Sequence, residues 1–379
     1  MARWRLTVRS DPTRDALSRA PHEGCGTIDA GKSDILTPPM ASTGAIVKRP
    51  VLLLASLLIA ACAAAPASTT APSAPPGQSP ITPSASPTPA REGVADPGGR
   101  IAFGRTTRYD LDFYGVVAAL FAIDPDGSDL VQLTKDDSGY PAWSPDGSKL
   151  AFSMRQSDGS WQIATVAADG SHLELLTSGA GVHDVPAWSP DGSWIAYGYS
   201  PQVGGPGFRP VLYRIDADGT HPRLLGNPDT FDGQPHVSPD GAKVAFVRLP
   251  SNGDEGTIWV RDVATGDERQ LKAAGSSVEW PKWSPDGKWI MYNTDNLSVM
   301  RIASDGSGTP VVIVDASMNP RAYKASYSPD GSRILFGCEG AVKDNDAICV
   351  VNADGSGLRL LIDDPVDHEQ YSDWGVAAR

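Results

Sequence analysis

Five times the chain repeats one short phrase. "WSPDG" stands at Trp143–Gly147, Trp188–Gly192 and Trp283–Gly287, with near copies "VSPDG" at Val237–Gly241 and "YSPDG" at Tyr327–Gly331. Their first residues are 45, 49, 46 and 44 apart, and a degenerate copy, "SDWG" at Ser372–Gly375, puts Trp374 47 residues after Tyr327. A period of this size marks a propeller or solenoid built from one repeated supersecondary unit. The phrase itself is turn chemistry. Pro presets φ at the second turn position, Asp bonds its own backbone at the third, and Gly takes the position of positive φ. The Trp before it offers a broad flat surface for packing between sheets and one N–H to satisfy. A catalytic group is needed once, whereas a turn is needed in every unit, so the repeated residues determine shape.

The full unit runs Pro-x-Trp, the turn, a short apolar strand, a loop, a strand ending in Asp-Gly, then another short apolar strand: four strands per repeat. The strands "KLAF" (149–152), "WIAY" (194–197), "KVAF" (243–246), "WIMY" (289–292) and "RILF" (333–336) alternate with period two. Leu150 and Phe152 share one face, and Ala151 on the other allows close approach of a neighbouring sheet. Asp-Gly segments ending at Gly127, Gly170, Gly219, Gly306 and Gly355 form a second set of hairpin turns. No ten-residue stretch after Gly99 carries a helical stripe. The pattern P-x-W-S-P-D-G-x-x-[ILV]-A-[FY] resembles the WD40-like propeller repeat of the TolB family over roughly residues 100–379. That resemblance implies an all-β fold: a six-bladed propeller of four-stranded antiparallel blades, with the strand before each Ser-Pro-Asp-Gly innermost. "GRIAFGR" (99–105) reads as a second strand lacking a first, and "YSDWGVA" (371–377) as a first strand lacking a second. Together they complete one blade and close the ring, leaving no exposed edge.

Members of the family carry an α/β domain ahead of the propeller. Here that place holds a different front end, so TolB's own partners are not carried over. Lys48 and Arg49 precede an apolar run from Val51 to Ala61 and then Cys62, a run suited to a secretory signal core and too short for a spanning helix. Ile59-Ala60-Ala61-Cys62 resembles a bacterial lipobox, which implies cleavage before Cys62 and lipidation of that residue; the alternative is an ordinary signal peptide with an incidental Cys. Met40 is the expected start, with residues 1–39 a mis-annotated extension, residues 40–61 the signal peptide and residues 99–379 the propeller. Residues 62–98 are expected to form a disordered tether: positions 63–98 hold nine prolines and almost no large apolar side chain, too little to offset chain entropy. The expected location is outside the cytoplasm, lipid-anchored and facing periplasm or exterior.

Charge narrows the partners. Of the net −13, residues 1–98 hold nine Lys/Arg against seven Asp/Glu, and residues 99–379 hold 23 against 38. The folded part is acidic with no basic stripe, which argues against nucleic acid or lipid head groups. A protein partner or an envelope polysaccharide is expected instead, with membrane contact through the lipid alone, no cofactor, and a monomeric chain. There is no G-x-S-x-G elbow and no room for the hydrolase domain that propeller peptidases carry.

Loops at one end of a channel are where propellers place function. The binding-face candidates are Tyr109, Phe113, Tyr114, His183, Asp184, Phe208, Phe231, Asp232, Glu279, Tyr323, His368 and Glu369. The aromatic ones either anchor a partner or pack on their own blades. His183, His236 and His368 fall just before or within innermost strands, and some uronide lyases on propellers use histidines at comparable places. A metal-dependent polysaccharide lyase or hydrolase at the channel mouth is thus the alternative to a non-catalytic binding module; against it, His236 replaces its repeat's Trp and the others are solvated loop residues. Cell-wall glycan binding is a further alternative. Cys338 and Cys349 flank one hairpin, where an oxidising setting favours a disulfide over free thiols.

Overall fold

The structure, a computed structural model, describes residues 98–106, 118–135, 137–203, 208–250, 255–273, 275, 277–295, 297–319, 321–342, 345–364 and 367–376. The expected signal, the expected lipidation site Cys62, the expected tether up to residue 97, and the candidates Tyr109, Phe113 and Tyr114 lie outside them.

All described regular structure is strand. β1 (Arg100–Thr106), β2 (Ala119–Ile123) and β3 (Val131–Gln132) pair in sequence order, with β24 (His368–Gly375) outside β1. β12 (Phe231–Val237) to β15 (Glu268–Gln270), through β13 (Lys243–Leu249) and β14 (Thr257–Asp262), form a second four-stranded sheet. β16 (Val278–Trp283), β17 (Trp289–Thr294), β18 (Val299–Ala303) and β19 (Val311–Val314) form a third. β20 (Tyr323–Tyr327), β21 (Arg333–Glu339), β22 (Asp346–Asn352) and β23 (Arg359–Ile362) form a fourth. The remaining eight strands are β4 (Ser138–Trp143), β5 (Lys149–Arg155), β6 (Trp161–Ala167), β7 (Glu174–Leu175), β8 (Val182–Trp188), β9 (Trp194–Ser200), β10 (Val211–Asp216) and β11 (Arg223–Leu224). They make one hydrogen-bonded sheet rather than the two blades the repeat implies. The join is a single parallel pair, Trp161 with Val182; on either side of it run two antiparallel meanders, β4–β7 and β8–β11.

The turns behave as their residues dictate. In the first copy the Gly147 N–H donates to Ser144 O at 2.9 Å, the Ser148 N–H donates to Asp146 Oδ1 at 3.0 Å, and the Lys149 N–H donates to Ser144 Oγ at 3.0 Å. Gly147, Gly192, Gly241, Gly287 and Gly331 all sit at φ between 70° and 72°. Leu150 and Phe152 pack with Ala102 and Leu120 of the β1–β2 sheet, while Ala151 packs with Ile195 and Ile215 of the β8–β11 meander. The core is therefore a series of layers between successive four-stranded meanders, and period-two alternation sends the two faces of β5 to different neighbours.

The ends meet. β24 pairs antiparallel with β1 from Arg100 opposite Gly375 to Thr106 opposite His368. Trp374 Nε1 donates to Gly98 O at 3.0 Å. Gly99 is obligatory there: its φ is 91°, and a Cβ would lie 2.1 Å from Gly375 O. Each of β4, β8, β12, β16, β20 and β24 contacts the next, and β24 contacts β4 again, closing a cycle about a central channel.

Candidate functional site: the central channel

Each innermost strand carries a bulge three residues before its Trp position. The residues there, Tyr140, Val185, Gln234, Trp280, Lys324 and Tyr371, all have left-handed backbone, φ 50–56°, and the antiparallel register slips at each. A bulge redirects a side chain; here all six side chains line one narrow constriction whose free space is only ≈ 40 Å³. Three of them are aromatic. Tyr140 and Trp280, half the cycle apart, stack across the lumen with centroids 5.4 Å apart. Tyr371 meets Tyr140 edge-on at 4.6 Å. Into this cage projects Lys324, whose Nζ is 3.2 Å from the Tyr371 centroid, 5.0 Å from Trp280 and 5.2 Å from Tyr140. Burial pushes its ammonium pKa well below the usual lysine range, with the Glu279 carboxylate opposing; the ring faces also favour the charged form.

Toward the Ser-Pro-Asp-Gly turns the channel widens into a cavity of ≈ 270 Å³, rimmed by the turn prolines Pro145, Pro190, Pro239, Pro285 and Pro329. Beside the turn serines, its polar lining comes from the residue just before four of the Trp positions: His236, Lys282, Ser326 and Asp373. Asp373 accepts from Trp143 N at 3.0 Å and from Ser326 Oγ at 2.9 Å, with Lys282 Nζ at 3.4 Å. Ser326 Oγ in turn accepts from Trp374 N, and His236 Nδ1 accepts from Trp283 N at 3.2 Å. Asp373, Ser326 and His236 thus each satisfy a backbone N–H on the next innermost strand, a donor that needs a partner once it is shut away from water.

The sequence candidates scatter. Val237, not His236, takes the repeat's Trp position; His236 is half-buried one residue earlier, and loss of solvent together with Lys282 pushes its pKa well below the usual histidine value. His183 is buried rather than solvated: its ring lies 4.6 Å from Tyr199 and its Nδ1–H donates to Trp161 O at 3.2 Å, beside the parallel pair that joins the two meanders. His368 Nδ1 accepts from Asp346 N at 3.3 Å. His183 and His368 open their strands while His236 nearly ends its own, about 13 Å farther along at ~3.3 Å per residue. Among the described residues no three His, Cys, Asp or Glu side chains gather as a metal site.

Two acidic candidates are built into the blades. Asp232, fully buried, takes a two-pronged ion pair from Arg248 at 2.7 and 2.9 Å. Glu369, also fully buried, pairs with Arg105 at 3.1 Å. The register is the same in both sheets, and each Arg stacks over the Phe two residues before it. Even so, burial pushes Glu369 up to about 7 against the pull of Arg105. Asp184 is buried as well, its Oδ1 close over Gly198, where a Cβ would lie 2.7 Å away; burial raises it to about 7. Phe231 lies under Arg209 at 4.4 Å. Phe208 and Glu279 are half-buried, and the Tyr323 ring packs against Gly337. Cys338 and Cys349 are bonded with Cα atoms 5.8 Å apart, diagonal across β21 and β22 rather than directly opposite.

Sequence reading passed over the constriction: Tyr140, Trp280, Lys324 and Tyr371 all share one offset from the repeated Trp, and aligning that offset across repeats would have exposed them. A cycle of antiparallel meanders with repeated turns at the channel rim and unrepeated side chains in the lumen defines a β-propeller. The chain belongs to the TolB beta propeller domain family (PD40), which matches residues 119–309. TolB from Acinetobacter baumannii is similar at 21% identity and TM-score 0.60, covering 74% of this chain and 67% of that one. A putative TolB from Agrobacterium tumefaciens is 18% identical with TM-score 0.54, covering 73% and 99%. Hydrazine synthase from Kuenenia stuttgartiensis matches at 16% identity and TM-score 0.60, over 73% of this chain and 46% of that one. No curated protein matches in sequence.

Proposed function

We propose that this chain is an exported, lipid-anchored, six-bladed propeller whose channel is a non-catalytic binding site for a protein partner at the cell envelope. The observation that carries the reading is the concentration of unrepeated residues in the lumen of a repeated scaffold. Six strands of one design present Lys282, Asp373, His236 and Ser326 to one cavity, and an aromatic cage to the constriction above it. The blade count treats the eight-stranded sheet as two blades, which the single bridge and the six-membered cycle of innermost strands support. Export and anchoring are supported by the basic pair, the apolar run and Cys62, with residues 62–98 as tether.

Two experiments test this. Cys62→Ser should move the protein from the membrane fraction to the soluble exported fraction; retention at the membrane overturns the anchor. A photo-cross-linking amino acid at Pro190, on the turn-side rim, and another at Glu279, on the opposite side of the constriction, should yield a protein adduct from one mouth when expressed in native cells. Adducts only to glycan, or none at either position, overturn the protein-partner reading.

A further inference from the structure

The constriction is dearer than the fold requires. Val185 and Gln234 occupy two of its six equivalent positions, so the bulge demands neither an aromatic ring nor a cation. An apolar side chain at 324 would fill the lumen without taking an ammonium out of water. Instead, Lys324 is inserted among three ring faces, and among the described residues no carboxylate lies at ion-pair distance from its Nζ. Ring faces recognise ammonium groups when water is excluded. The Tyr140 and Trp280 rings stack on each other, and the backbone that carries Trp280 is itself held, its main-chain N–H donating to Gln234 Oε1 at 2.7 Å. Lys324, by contrast, is a point charge on a flexible four-carbon stem. The rigid part of the arrangement is the receptor, and the mobile part is a ligand that happens to be tethered.

We propose that the Tyr140–Trp280–Tyr371 cage is a recognition site for a primary alkylammonium, presented as a lysine side chain of the partner, and that Lys324 is its resident competitor. The occupant already in place states the chemistry the cage accepts. The 38 acidic against 23 basic residues after position 98 favour a basic partner. Glu279, whose charge already bears on the Lys324 ammonium, is where the displaced side chain goes. That the incoming ammonium belongs to a protein rests on the binding reading above; the chemistry of the cage does not.

The test needs no partner. Lys324→Ala removes the tethered occupant, and n-butylammonium chloride supplies the deleted ammonium on a stem one carbon longer than the three carbons removed. Isothermal titration at matched ionic strength should show the variant binding n-butylammonium at least about tenfold more tightly than the wild type, as one desolvated ring contact allows. n-Butanol should not bind comparably, and adding Trp280→Leu should abolish the gain. Equal binding by wild type and variant, or butanol binding as well as the amine, overturns the cage as a cation site. If Lys324→Ala does not fold, limiting acetylation with peptide mapping serves in its place. Trp280→Leu should then raise the labelling rate of Lys324 severalfold relative to Lys288, and an unchanged rate overturns the proposal. Amine binding without any protein cross-link keeps the cage but assigns it to a free amine, removing the partner's lysine; cross-links without amine binding remove the cage and leave the protein-partner reading intact.

Discussion

The two ends of each innermost strand are made to different rules. At the turn end five strands repeat Ser-Pro-Asp-Gly with one hydrogen-bond pattern and one glycine φ. Three residues before the Trp position the backbone is just as uniform, yet the six side chains are all of different kinds save two tyrosines. Uniform backbone with uniform chemistry is scaffold. Uniform backbone with varied chemistry is a mount on which different groups are fixed. Charge follows the same division. At the turn, Asp286 accepts from Ser284 Oγ and the Lys288 N–H, which hold its carboxyl down at about 2. Toward the strand start, burial lifts Asp184 and Glu369 to about 7.

The strongest way to break the comparison is to remove β24. If the repeats give only shape and the lumen exists only in a closed ring, deleting 368–375 exposes the β1 edge and the β20 flank. Size-exclusion and thermal melts should show aggregation and loss of a cooperative transition; a monomer melting like the parent would dissolve the division between scaffold and mount. Next, the same kind of backbone should respond oppositely at the two levels. Gly287→Val puts a β-branched residue at φ 71° and should cost about 1–3 kcal/mol, a Tm drop of several degrees. Val185, β-branched at φ 51°, is already strained, so Val185→Asn should raise stability by roughly 0.5–1 kcal/mol.

The pH dependence should split likewise. Asp184 has a raised folded pKa, so its contribution is fully present below its unfolded value and is lost as pH rises through about 7. Asp184→Asn should therefore melt like the parent near pH 4 and a few degrees higher at pH 8, the gain growing between. Asp286 is depressed, so its contribution holds above the unfolded value and is lost as pH falls through about 2. Asp286→Asn should melt slightly lower at pH 7, with the difference fading in strong acid, the smallest effect of the set.

What the sequence displayed was local. Turn, strand alternation and the pairing of "GRIAFGR" with "YSDWGVA" could be read because each depends on residues within a few positions or on the repeat itself. The hydrogen-bonded continuity of β6 with β8 could not, since it rests on one long-range pair. The site was largely misread for the same reason. Asp232 and Glu369 looked like exposed mouth residues, yet each meets an Arg fixed by cross-strand register. A Phe-x-Arg signal, Phe246–Arg248 and Phe103–Arg105, stood in the sequence. The lumen residues were hidden by the bulge, which breaks the alternation that tells inward from outward.

The seam between β1 and β24 also has a kinetic consequence. Arg105 and Glu369 are 264 residues apart, so the first strand to emerge during synthesis has no neighbour on one side until the last one arrives. Contacts of such sequence separation form slowly and leave partly assembled states prone to sticking. A chain of this design, made from its amino end, must spend its synthesis as an open arc, and any chaperone that serves it has β1's bare flank as the surface to guard.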